Sequence, residues 1–226
     1  MAEKENVQGV NQSYSGSGEL QAVNTPLTDV KLAIICVIVG IAAGLSAVVF
    51  RGSIHFFHSL MWERLSPLLS GLSPWAVIFI PMIGMFTVWA FLRLTLKEGE
   101  GHGVGSVMRA VTLKDGCIAP KIAPIECIAS SLCIGSGGSV GPEGPMIQIG
   151  AGVGSFIGQM FGLERRKLVL ITAAGAAGGL GAIFNAPIAG VIFAMEAVLE
   201  EFNTKGFCFL AVSSVVATQV GKTFMA

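Results

Sequence analysis

The chain has 226 residues, of which 53% are hydrophobic and only 12% charged, and its formal net charge is zero. A soluble domain carries about 25% charged residues overall, so an ordinary soluble domain is excluded. Zero net charge gives no reason to expect nucleic acid as a partner and makes any attraction for anions local.

Residues 1–30 are polar, rich in Ser, Gly, Asn and Gln, and lack the apolar stretch of a secretory signal. They are expected to form a disordered cytoplasmic tail, with the membrane domain over 31–226. Leu32–Phe50 is an uncharged apolar run of nineteen residues. At about 1.5 Å per residue it nearly spans a hydrocarbon core of about 30 Å. Arg51, His55, His58, Glu63 and Arg64 follow as an interfacial group. Pro74–Leu92 is a second span, with Trp75 and Trp89 placed as interfacial aromatics.

Beyond it the apolar segments shorten. Lys97–Ala110 is polar and glycine-rich, and Ile125–Cys133 is apolar. A glycine-rich turn over residues 135–141 leads into Glu143, and Met146–Gly162 is apolar again. Glu164-Arg165-Arg166-Lys167 is a charged break. Leu168–Leu199 is apolar but interrupted at Asn185-Ala186-Pro187, and Phe207–Ala226 is the last apolar run. The expected fold is all-α: a polytopic membrane protein with tilted and broken helices. Irregular backbone at membrane depth must be buried in protein or line a cavity. Basic residues occur in most connections, so the positive-inside rule assigns no orientation.

Gly150, Gly154, Gly158 and Gly162 recur every four residues and form a smooth stripe on a helix, a close-packing surface. The five cysteines include no C-x-x-C pair and read as small buried hydrophobes, and the three histidines have no metal spacing. No metal or cofactor is expected. No nucleophile–base–orienter set points to an enzyme.

The chemistry concentrates at Gly141-Pro142-Glu143-Gly144-Pro145. A proline suits a helix's first turn, and the unpaired amides there, with the helix dipole, make an anion site without a full charge. Such a site holds chloride weakly enough to release it. A carboxylate beside it competes with the anion for those amides, and protonation relieves the competition; the plain alternative is a helix-capping Glu. Gly101-His102-Gly103-Val104-Gly105-Ser106 is a second glycine-rich turn before an apolar helix, able to present amides to the same ion or to serve as a surface loop.

Gly141–Pro145 followed by Gln148-Ile149-Gly150, and Gly175-Ala176-Ala177-Gly178 followed by Asn185–Gly190, resemble the signatures of the CLC chloride channels and proton/chloride antiporters. Gly101–Gly105 sits where that family has G-S-G-I-P. The resemblance runs from about residue 32 to the end and covers the first half of the family's inverted-repeat fold. It implies a homodimer with one chloride path per subunit and Glu143 as the gate. Anion contacts would come from Gly101, His102, Gly103 and Val104, and from Gly141, Pro142, Glu143 and Gly144. His102 replaces the family's serine, Gly105 its proline and Pro142 its basic residue. Glu196 matches the first of two glutamates frequent in antiporters, and Ala197 replaces the second, the internal proton acceptor. Glu196, Glu200 and Glu201 read first as an interfacial acidic cluster and offer at most a substitute proton route.

The expected function is therefore channel-like chloride transport through a glutamate-gated path. The alternatives are proton-coupled chloride exchange and a non-transporting membrane scaffold. The second half of the fold is not in the sequence, so a fragment of a longer protein, inactive alone, is expected over a functional half-subunit. The expected location is the lipid bilayer, crossed several times, in the cell membrane.

Overall fold

A computed structural model describes residues 26–65, 67, 78–95, 101–199 and 204–225. The predicted tail (residues 1–25 of it), Trp75, Glu200 and Glu201 lie outside them. Every regular element among the described residues is helical. In order these are α1 Pro26–His58, a π-helical stretch Ser59–Leu65, α2 Phe79–Thr95, α3 Val104–Leu113, α4 Ile122–Gly135, α5 Glu143–Met160, α6 Arg165–Phe184, α7 Pro187–Ala194 running into a second π-helical stretch Met195–Leu199, and α8 Thr204–Met225. Helices over Asp29–Arg64, Arg165–Phe184 and Thr204–Phe224 are long and apolar enough to cross a membrane. Two compact units are distinguished, Met1–Ile34 and Ile35–Ala226; the described part of the first is the opening of α1, and the core lies in the second.

α1 begins earlier and ends later than the apolar run Leu32–Phe50. Pro26 fits a first helical turn, where its missing N–H breaks no bond. Arg51 ends the hydrophobic run but not the helix, because a charge stops burial rather than backbone hydrogen bonding. α2 likewise carries Pro81 in its first turn. The break after α6 is chemical. Asn185 takes the left-handed conformation, φ 54 and ψ 37, and Pro187 opens α7. The Ala186 N–H closes back on the Gly181 carbonyl at 3.0 Å.

Small residues bring helix backbones together in the core. A Cβ at Gly154 would lie 2.5 Å from the Ile171 carbonyl oxygen on α6. One at Gly40 would lie 2.6 Å from the Ser213 carbonyl on α8, and one at Gly44 would lie 2.7 Å from that of Ala217. Met146, Ile149, Ala182, Phe50, Ala43, Ala47 and Ala217 fill the space between α1, α5, α6 and α8. Gly150, Gly154 and Gly158 all face α6. Gly162 does not share that stripe. The helix ends at Met160, and Gly162 lies beyond it with φ 60, giving the left-handed turn in which the Leu163 N–H reaches the Gly158 carbonyl at 3.1 Å.

The connection from α3 to α4 is irregular yet pinned in protein. Asp115 and Gly116 have positive φ, 52 and 77. The Ile118 N–H donates to Ser155 Oγ at 2.8 Å, and Ser155 donates to the Gly116 carbonyl at 2.8 Å. Thr172 Oγ1 donates to the same carbonyl at 3.0 Å, and Gln159 Nε2 to the Ile118 carbonyl at 3.1 Å. Side chains of α5 and α6 thus supply the partners that lipid cannot.

Candidate functional site

The two glycine-rich turns come together. α3 starts at Val104 behind Gly103, whose φ of 69 and ψ of −157 suit glycine alone. α5 starts at Glu143 behind Pro142. A Cβ placed on Gly144 would come within 3.9 Å of the Gly103 Cα. Gln148, one turn into α5, joins the two. Its Oε1 accepts a short hydrogen bond from the Gly103 N–H, and its Nε2 donates to the Gly101 carbonyl at 3.4 Å. Gln148 is buried, so this bridge is shielded from solvent.

The hydrogen bonds define which amides are uncommitted. The first helical bond of α5 runs from the Met146 N–H to the Pro142 carbonyl at 3.0 Å, and Pro142 and Pro145 have no N–H. The donors at this terminus are therefore those of Glu143 and Gly144. On α3 the Ser106 N–H already reaches the Gly103 carbonyl at 3.1 Å, and the Gly103 N–H is taken by Gln148. Val104 and Gly105 supply the donors there. The two helix starts thus present backbone N–H groups and partial positive charge side by side.

Glu143 stands exposed at the start of α5, its carboxylate folded against the Cα of Gly141. A side chain at 141 would make this carboxylate swing aside. Among the described residues no hydrogen bond or ion pair holds this carboxylate. His102, by contrast, is held: its Nδ1 lies 3.0 Å from Glu126 Oε2 on α4. The Glu126 side chain is 7% exposed against 43% for His102. Ser130, one turn on, donates to Glu126 Oε1 at 2.9 Å. Glu126 sits inside the otherwise apolar run Ile125–Cys133, where a lone carboxylate is the only signal the sequence offers. Gln148 was read only as part of a motif. Glu196 lies apart from these groups in sequence, exposed at the start of the stretch Met195–Leu199, which packs on α3.

The family model described as "Voltage gated chloride channel" matches residues 83–226, well over half the chain. The chain belongs to this family. It is a multi-pass membrane protein. A ClcB-like protein of Ralstonia nicotianae, which carries a chloride channel name, is 31% identical over 198 residues, covering 83% of this chain and 45% of that protein. The H+/Cl− exchange transporter ClcA of Vibrio vulnificus is 28% identical over 199 residues, covering 85% of this chain and 41% of that protein. The crystal structure of a slow cyanobacterial Cl−/H+ antiporter superposes with a TM-score of 0.72 at 23% identity, covering 86% of this chain and 47% of the other. That likeness establishes a CLC-type helical fold. The chain spans about half the length of these relatives.

Proposed function

We propose that this chain builds one side of a chloride path in a proton-coupled CLC-type exchanger, with Glu143 as its gate and the starts of α3 and α5 as anion donors. The observation that carries this reading is the juxtaposition of those two helix starts beside a carboxylate that no described residue holds. Chloride is bound by backbone N–H groups and helix dipoles rather than by a Lys or Arg, so it binds weakly and leaves readily. Ionised, the Glu143 carboxylate competes for the same donors. Protonated, it no longer competes and the site opens to chloride. The exchange activity named for the Vibrio relative favours proton coupling over the channel-like reading expected from sequence. Two copies form a homodimer with one path in each subunit.

The test is chloride flux from liposomes holding the full-length protein, wild type and Glu143→Gln. Glutamine mimics the protonated gate, so flux should persist and lose the part of its pH dependence that the Glu143 carboxylate contributes, while chloride-driven proton transport should stop. Unchanged flux and unchanged pH dependence would remove Glu143 from the gate. Uncoupled conduction is the second reading, favoured by Ala197, which cannot carry a proton. Robust chloride flux by the wild type without proton movement would select it.

A further inference from the structure

We propose that His102 and Glu126 form a proton-binding site whose occupancy is linked to chloride binding at the start of α3. This rests on the anion-path reading above and adds where its coupled proton sits. Glu126 is a nearly fully buried carboxylate on α4, and its named partners are His102 and Ser130. With Glu126 ionised, its oxygens only accept hydrogen bonds, and Nδ1 of His102 then carries the proton between the two. The other ring nitrogen, Nε2, belongs to a half-exposed side chain. Histidine is the side chain that gains and loses charge between about pH 5 and 8.

The charge balance follows. With a neutral imidazole the pair carries one negative charge, on Glu126, and His102, hydrogen-bonded to it, lies two residues before Val104 and three before Gly105, whose amides are the donors. That charge opposes an anion at those donors. When a proton binds Nε2 the pair becomes an imidazolium–carboxylate ion pair of zero net charge, and the Nδ1–H to Oε2 bond is unchanged. The geometry persists while the charge toggles. A chloride at the α3 terminus therefore stabilises the protonated pair, and a proton on the pair stabilises chloride, by the same factor. When the chloride leaves, the proton is released from Nε2. This supplies a proton site on the anion path although position 197 is alanine.

Other charged or titratable groups on the surrounding elements are Arg109 on α3, Lys121 just before α4, Cys127 and Cys133 on α4, Glu143 on α5, Arg93 on α2, Arg51, His55 and His58 on α1, which meets the end of α4, and Glu196 in the stretch packed on α3. Glu143 is a second ionisable group on the proposed path, so the test fixes it as glutamine throughout.

Chloride binding to purified full-length Glu143→Gln protein is measured by calorimetry between pH 5.5 and pH 8, in buffers of different ionisation enthalpy that report protons taken up per chloride. Chloride should bind on the order of tenfold more tightly at the acid end, within the usual range for linked sites, with net proton uptake. Adding His102→Asn keeps an N–H donor toward Glu126 and removes the titration; proton uptake and the pH dependence should both disappear. Adding Glu126→Gln instead removes the negative partner and should move the pH window of coupling downward. Persistence of full proton uptake in the His102→Asn protein overturns the assignment, as does pH-independent chloride binding in its parent. Absence of chloride binding at every pH in folded protein refutes the anion path itself, a distinct outcome.

Discussion

Replacing Gly154 by alanine puts one methyl group between α5 and α6. The added carbon would stand 2.5 Å from the Ile171 carbonyl oxygen and 3.2 Å from the Cα atoms of Gly175 and Thr172. All three are backbone atoms, so no side chain can rotate away and α6 itself must move. Overpacking of this kind costs about 1–3 kcal/mol. Alanine returns about 0.5–1 kcal/mol of helix propensity relative to glycine. The net expectation is a loss of roughly 0–2.5 kcal/mol, centred near 1 kcal/mol, read as a lowered Tm. Gly52→Ala supplies the opposite sign. Gly52 is exposed within α1 and a Cβ there meets nothing within 4 Å, so only the propensity gain remains, about 0.5–1 kcal/mol. Both variants of the full-length protein should be heated in one detergent at one scan rate, because irreversible unfolding makes the midpoint rate-dependent. A Gly154→Ala protein that melts at or above wild type, with Gly52→Ala raised as expected, would show that the helices have room and that close approach is not what these glycines provide.

Gln148→Ala removes the bridge between the two helix starts and leaves the Gly103 N–H without its acceptor, a cost of about 1–3 kcal/mol in Tm measurements and a marked loss of chloride affinity by calorimetry. Gln148→Glu keeps an acceptor but adds negative charge; chloride affinity should fall at least as far while stability falls less, and equal losses in both would contradict the bridging role. Ser155→Ala strands the buried Ile118 N–H and should lower stability by about 1–3 kcal/mol, read by thermal unfolding, without changing the pH dependence of flux.

The breaks in this fold were legible because they are made by residues with few options. Pro187 cannot donate, and Asn185 tolerates the left-handed backbone, so the end of α6 is written locally. The start of α5 at Glu143 is equally local. What a linear reading cannot supply is which start meets which. Gln148 and Gly103 are 45 residues apart in the chain, and His102 and Glu126 are 24 apart. Nothing in their spacing marks them as partners. Gly162 illustrates the opposite error. A period of four matches neighbouring residues only while the helix lasts, and α5 has ended two residues earlier. There the glycine serves a positive φ rather than a packing face.

The proline positions decide how strongly the site can hold an ion. An ordinary helix start offers several adjacent N–H donors. Pro142 and Pro145 withhold theirs, and Gln148 takes that of Gly103, leaving Val104, Gly105, Glu143 and Gly144 to face an anion. Each such donor is neutral, so the attraction comes from oriented dipoles and falls off within a turn. A chloride held by these groups binds weakly, and a carboxylate tethered at the same terminus competes on comparable terms. With a fixed positive charge at 142 the balance would shift toward retention of whichever anion arrived. With proline there, small changes in charge nearby tip the balance. In the proposed path, loss of the Glu143 charge is one such change, and neutralisation of the His102–Glu126 pair is the other. On this proposal a buried carboxylate 17 residues from Glu143 in sequence still bears on whether chloride stays.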